Sequence, residues 1–260
     1  MVVSHLKLHY TYLKVAMSTA MEYKVNFITQ VLAMALNDVV WIALWWVFFE
    51  KFESVGNWDY TSVLMLYALV ALSFGLASFF YGNRSKMAYI IAEGRLDFYL
   101  TLPKNRLHHL LISRSSFFAL GDVLFGIVLA CFVVPLHNLP LFMVFVVSST
   151  ILFVSLSVIF HSLAFYLGHA EAISNNIVMG VNTIATYPMS VFKGFSKLII
   201  LTIIPAGFIS GVPVELLHEF NLSWFLMTIG FTIAVALLAV AIFYHGLKRY
   251  ESGNLLYVRT

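Results

Sequence analysis

Of 260 residues, 61% are apolar, 10% are charged, and phenylalanine alone occurs 24 times. A soluble domain of this size needs far more polar surface, so the excess apolar surface faces lipid, and a water-soluble enzyme or a nucleic-acid partner is not expected. The net charge of +3 says less than the spacing of the charges, and the single cysteine, Cys131, lies in an apolar run and excludes an internal disulfide.

The segment 1–26 carries Lys7, Lys14, Glu22 and Lys24 among aromatics, with no short apolar core leading to a small-residue cleavage site, so no signal peptide is read there. Leu6, Tyr10, Leu13, Met17 and Met21 recur at helical spacing with the lysines largely off that stripe. This predicts an amphipathic helix lying in the membrane interface, or else a simple extension of the first span. A hydrocarbon core of roughly 30 Å needs about 20 mostly apolar helical residues. That length picks out spans near 27–49, 60–81, 111–134, 141–167 and 223–245, with 135–140 as a tight turn.

Residues 173–213 are apolar but punctuated by Gly180, Pro188, Gly194, Pro205, Gly207, Gly211 and Pro213. Proline deletes a helical hydrogen bond, so one straight helix cannot run through. The reading is a crossing over 173–192 and a re-entrant hairpin over 197–213, within an outer segment 193–222. Broken backbone at membrane depth is tolerated only against protein or water, so this region is expected to wall a pathway. The fold expected is all-α and polytopic, one transmembrane domain over 1–260 with six spans.

Orientation follows from lysine and arginine bias in short loops. With the N-terminus inside, the inner segments hold Lys7, Lys14, Lys24, Arg84, Lys86, Arg95, Lys104, Arg106, Arg114, Lys248, Arg249 and Arg259, against Lys51, Lys193 and Lys197 outside. Both termini are then cytoplasmic; the alternative that 170–197 lies on the cytoplasmic surface stays open, because Lys193 and Lys197 fit less well.

Missing motifs narrow the chemistry. There is no G-x-x-x-x-G-K-[ST] phosphate loop, and His218-Glu219 is followed by Leu222 where a zinc motif needs its second histidine. Ser210 in Gly207-Phe208-Ile209-Ser210-Gly211 sits one place away from a nucleophile elbow. His5 and His9 share helical spacing but lack an acidic or thiol partner, and His108-His109 read as an interfacial basic patch.

Asp38, beside Asn37 in the first span, and Asp122 in the third are both placed near mid-membrane. A carboxylate there costs on the order of 3 kcal/mol, so each must face the bundle interior, water or a partner, or be protonated. Asn175, Asn176, Asn182 and Thr183 add polar groups to the broken fifth crossing, and His161 could partner one acid. Asn37, Asp38, Asp122, Asn182 and Thr183 are therefore candidate pathway residues, the competing reading being interhelical hydrogen bonds of about 0.6 to 2 kcal/mol. Pathway-facing acids favour a cationic or hydrogen-bonding amphiphile. Trp41, Trp45 and Trp46 are read as interface anchors rather than a substrate cage.

The loop 82–110 is far longer than a turn needs, and 92–103 reads as a short amphipathic helix starting near glycine and stopping at Pro103. Leu96, Tyr99 and Leu100 form its apolar edge and Glu93, Arg95 and Asp97 an ion-paired rim, suited to a soluble partner or to the membrane face. A solvated loop that only fixes topology is the alternative.

These features resemble the type-2 ATP-binding-cassette (ABC) exporter permeases, in the six-span subfamily of about this length. The resemblance rests on Glu93-Gly94, Leu96-Asp97 and Pro103 in the second loop and on Ala119-Leu120-Gly121-Asp122 entering the third span. Tyr187-Pro188, Ile204-Pro205, Val212-Pro213 and the approach Glu22-Tyr23-Lys24-Val25-Asn26-Phe27 extend it. It implies a non-catalytic, multi-pass subunit of the cell (inner) membrane that pairs with a second permease, identical or paralogous, and with two separate ATPase subunits. ATP and magnesium would bind those subunits, and no cofactor is expected on this chain. By position, Glu93, Gly94, Arg95, Leu96, Asp97, Tyr99 and Leu100 would form the ATPase-coupling element. An ion-coupled secondary transporter using Asp38 and Asp122 is the alternative, but it predicts inverted repeats that the sequence does not display.

Overall fold

The structure, a computed structural model, describes residues 2–202 and 204–251, with side chains from Lys7 onward. Its elements are helical, and no strand is present among the described residues. Helix α1 (Val2–Glu22) is separated from α2 (Lys24–Phe49) by Tyr23 alone. After a loop closed by a Val55–Trp58 bridge, α3 (Tyr60–Phe80) begins at Asp59, whose carboxylate accepts the Ser62 N–H at 2.8 Å and so satisfies an orphan donor of the first turn.

Three short helices follow, α4 (Met87–Ala92), α5 (Asp97–Leu100) and α6 (Arg106–Ile112), and then α7 (Leu120–Val133). Helix α8 (Leu139–His161) takes Pro140 in its first turn, where a missing N–H costs nothing, and continues into the single turn α9 (Ala164–Leu167). The remainder is α10 (Glu171–Ala185), α11 (Phe195–Thr202), a π-helical turn Gly207–Gly211, α12 (Val212–His218) and α13 (Leu222–Leu247).

Among the described residues, four segments are long and apolar enough to cross a bilayer: α2, α3, Leu136–Leu167 and α13. Two bent pairs, α6 with Phe117–Val133 at 72° and α11 with Gly207–His218 at 76°, raise the number to as many as six.

Between apolar helices in lipid, association comes from close packing and hydrogen bonds rather than from expelled water, so small residues matter. Helix α3 is the hub: it buries Ala68, Ala71, Ser73, Gly75 and Ala77 along with its large side chains. Helix α7 lies on it so closely that a Cβ on Gly126 would meet the Leu72 backbone nitrogen at 2.7 Å. On the other side of α7, a Cβ on Gly121 would come within 2.4 Å of the Val31 carbonyl of α2.

Polar ties link the same layers. Ser148 meets Thr232 at 2.7 Å between α8 and α13, and Thr150 donates to Ser73 O at 3.3 Å between α8 and α3. Pro213 has no N–H to offer the Ile209 carbonyl four residues back, and Ser149 of α8 supplies the missing donor at 2.5 Å. Ser210 in turn donates to Ala185 O at the end of α10, at 2.6 Å. The interrupted backbone of this region is thus satisfied by buried protein, as a low-dielectric setting requires.

The third span starts later than expected. The apolar run continues through Leu110, Leu111 and Ile112, but these end α6, and the helix that packs against α3 begins after the short turn Phe117–Ala119. Asn83 enforces the break, donating to Leu110 O at 2.9 Å and to Ser113 Oγ at 2.8 Å. Asp122 therefore lies in the first turn of α7 rather than near its middle.

Candidate functional site

The loop between α3 and α7 is a folded knot. Arg84 is buried, donating from Nη1 to Ser157 Oγ and from Nη2 to Ser78 Oγ, both at 2.8 Å, with its guanidinium 4.9 Å from the Phe74 ring centre. Burial pushes its pKa down to about 10. Helix α4 ends where Gly94 takes φ +68°, a left-handed conformation that a side chain disfavours, with Gly94 N–H donating to Ile91 O and Arg95 N–H to Ile90 O.

That ending overturns the single helix expected over 92–103: only Asp97–Leu100 is helical, one turn set at a new angle. Leu96 is 0% exposed and anchors the turn in a cluster with Met87, Ile91 and Leu110, whereas Phe98 is 60% exposed at its tip. Tyr99 turns inward, its hydroxyl 2.9 Å from Ser113 Oγ, and Leu100 is partly buried. The expected ion-paired rim does not form. Arg95 lies over the Tyr89 ring at 5.0 Å, Asp97 faces Tyr250, and the salt bridge present among the described residues is Lys86–Glu171 at 2.8 Å. Burial, reinforced by the Asp97 carboxylate, pushes the Tyr250 phenol up to about 12.

Helix α1 is stitched to this knot. Tyr12 Oη lies 2.7 Å from His109 Nε2, and His9 Nε2 lies 3.2 Å from Phe80 O, with burial holding the His9 pKa below its ordinary value. His109 is thus a buried tie between α1 and α6, not part of a basic patch. On the expected stripe, Tyr10, Met17 and Met21 remain exposed, leaving it free to lie against lipid; the Leu6 and His5 side chains are outside the described residues.

The interior candidates separate into two groups. On α2, the Asp38 side chain turns inward, one turn beyond the Ala35 and Met34 positions that meet Gly121, and within electrostatic range of Asp122. Asp38 also acts on Tyr67 of α3, whose hydroxyl accepts the Trp45 indole N–H at 3.0 Å. Trp45 is therefore a buried anchor, while Trp41 and Trp46 are exposed as expected of interface residues. Asn37 and Thr183 face outward, and Thr183 bonds back to Met179 O at 3.0 Å. Asn182 has a buried Oδ1 without a hydrogen-bond donor. His161 pairs with no acid; it lies 2.8 Å from Ser157 O and 3.2 Å from Asn175 Oδ1.

A further cavity of about 790 Å³ opens at the opposite end of α3 from the knot, lined by Trp58, Asp59, Ser62, Glu215, His218 and Trp224 among others. Ser62 Oγ there bridges Asp59 Oδ1 and His218 Nε2. Burial alone would raise the Asp59 pKa, but the Ser62 hydroxyl and amide outweigh it and hold it below the ordinary value. Tyr67 and Asn83 carry no local signal in the sequence, because their partners Trp45, Leu110 and Ser113 are distant along the chain; Phe98 lies within the loop helix expected there, but as its exposed tip rather than on the apolar edge expected of Leu96, Tyr99 and Leu100.

A family model described as ABC-2 family transporter protein matches residues 35–253. No curated protein and no solved structure matches the chain. The match covers most of the sequence, including α3, the knot and every helix after it, so the chain belongs to the ABC-2 transporter family and is a multi-pass membrane component of a transport system.

Proposed function

We propose that this chain is the permease subunit of an ABC exporter, forming the translocation pathway with a second permease and driven by two separate ATPase subunits that carry ATP and magnesium. It is non-catalytic, lies in the cell (inner) membrane, and has both termini in the cytoplasm. It crosses six times, through α2, α3, α7, α8, α10 and α13, while α11 and α12 form a re-entrant hairpin. The ends of α10 support that path: Glu171 pairs with Lys86 beyond one end of α3, and Ser190 just past its other end donates to Val55 O, beyond the opposite end of α3.

The observation that carries the reading is the form of the loop between α3 and α7. A solvated topology loop has no reason to bury Leu96 and Arg84 beneath an exposed Phe98. An apolar tip on a rigid base suits docking into a groove of a soluble partner, with Glu93, Gly94 and Arg95 beside it and Leu96, Asp97, Tyr99 and Leu100 holding the turn. Because Tyr12 meets His109 and Arg84 meets Ser157, displacement of the knot acts on α1 and α8 together. Phe98→Ala should lower permease-stimulated ATP hydrolysis by about tenfold, an interface loss of roughly 1.4 kcal/mol, without changing the yield or monodispersity of the permease. Stimulation equal to the unaltered complex removes the coupling assignment.

A further inference from the structure

At the elbow where α1 turns into α2, the chain surrounds a cavity of about 210 Å³. Helix α1 contributes Ala16 and Ala20, whose small side chains leave the space open, and Phe27 of α2 and Phe118 of the turn before α7 form an apolar wall. Much of the remaining lining is polar. Gln30 donates to Asn26 Oδ1 at 3.1 Å, which leaves the Asn26 amide N–H groups to donate elsewhere. Ser115 is 8% exposed and its hydroxyl has no hydrogen-bond partner, an arrangement that costs stability until a ligand completes it. Arg114 brings the charge. Arg84 is held by two serines, Lys86 by Glu171 and Arg95 by the Tyr89 ring, but no acid, ring or hydrogen-bond acceptor holds the Arg114 guanidinium among the described residues. Arg114 also borders a cavity of about 470 Å³ beside Phe98, where the acid in the lining, Glu171, is already taken by Lys86.

A guanidinium, amide N–H groups and serine hydroxyls all donate, and no carboxylate lines the elbow cavity. A ligand that carries an ammonium finds no counter-charge there. A phosphodiester fits, because its oxygens accept the paired N–H groups of an arginine together with hydroxyl and amide donors. Position selects the source of that phosphate. Helix α1 leaves Tyr10, Met17 and Met21 exposed for lipid, and it joins the span α2 at this elbow, where Phe118 is 37% exposed, so the cavity lies at the level where headgroups meet acyl chains. We propose that the elbow cavity binds the headgroup of an anionic phospholipid from the leaflet on the side of the knot, with Arg114 as the counter-charge, Asn26, Ser115 and Ser116 as donors, and Phe27 and Phe118 against the acyl chains. This goes beyond the permease reading and does not depend on which subunit hydrolyses ATP.

The test titrates the full chain, purified in detergent, with phosphatidylglycerol, phosphatidylcholine, glycerophosphoglycerol and inorganic phosphate, and counts bound molecules by native mass spectrometry. Saturable binding of phosphatidylglycerol is expected, about tenfold tighter than that of phosphatidylcholine, and neither soluble phosphate should displace it at equal concentration. Arg114→Gln should weaken phosphatidylglycerol binding by about tenfold and erase the preference between the two lipids, while Arg114→Lys, which keeps the charge, should stay within about threefold of the unaltered chain. Ala20→Phe fills the cavity with the charge intact and should lower the affinity by a similar factor. Arg106→Gln removes an exposed cation outside the cavity and should change nothing. If Arg114→Gln does not fold, Ala20→Phe and the comparison of headgroups decide. Equal affinity for the two lipids, displacement by either soluble phosphate at equal concentration, a loss in Arg106→Gln as large as that in Arg114→Gln, or unchanged affinity in folded Arg114→Gln or Ala20→Phe would overturn the proposal.

Discussion

Helices α2 and α3 are both long and apolar enough to cross a bilayer, yet α3 buries thirteen of its residues and α2 only Trp45. The difference lies in the small residues. Helix α3 presents Ala68, Ala71, Ser73, Gly75 and Ala77 to its neighbours, so that α7 and α8 approach its backbone. Helix α2 lies against the bundle along one edge, at Val31, Met34, Asp38 and Trp45, and leaves Leu32, Leu36, Val40 and Leu44 exposed. Hydrophobicity places a helix in the membrane; side-chain size decides whether it becomes the centre of the bundle or its edge. An edge helix has fewer packing contacts to give up when it shifts, and the inward carboxylate of α2 sits on such a helix.

Substitutions at the two glycines of α7 break this contrast if it is wrong. Gly126→Leu drives a side chain into the Leu72 backbone of a fixed helix and should destabilise the fold by about 3 kcal/mol or more. Gly121→Leu meets the α2 backbone even more closely, but α2 can yield, so its cost should be smaller, on the order of 1–2 kcal/mol. Thermal unfolding of both variants in detergent orders them, and equal losses would mean that α2 is as fixed as α3.

Smaller effects sharpen the comparison. Tyr67→Phe removes the acceptor of the Trp45 indole, which should cost about 1 kcal/mol and loosen the outer half of α2 while α3 stays protected, as hydrogen exchange would resolve. The first turn of α3 has a titratable cap and that of α2 has none. The folded-state pKa of Asp59 lies below its ordinary 3.8, so the cap is fully present above that value and lost as pH falls through the lower, folded value. Exchange protection at Ser62 should therefore persist to acid pH and then collapse, with no matching step in α2. Asp59→Ala should remove the protection at every pH.

What the sequence revealed followed from local rules. Length and apolarity located α3 and α13 nearly to the residue, at Tyr60–Phe80 and Leu222–Leu247, and the prolines marked where the chain breaks between α10 and α12. What it concealed depends on distant partners. The end of α6 is imposed by Asn83, 27 residues before Leu110, and the burial of His109 by Tyr12, 97 residues away. Gly94 was visible as a helix breaker but read as a helix start, because only the closing bonds to Ile90 and Ile91 reveal that α4 ends there. Asp38 and Asp122 stood out singly as costly residues; their proximity needed Gly121 to bring α2 and α7 together.

The coupling claim is tested most directly at Phe98. A Phe98→Cys chain, with Cys131→Ser as background, places one thiol on the exposed tip of the knot. The account predicts no labelling of intact cells by a membrane-impermeant maleimide, and a crosslink to the ATP-binding subunit in inside-out vesicles whose yield changes when ATP is added. Labelling from outside, or a tip that never crosslinks to that subunit in any nucleotide state, would contradict it.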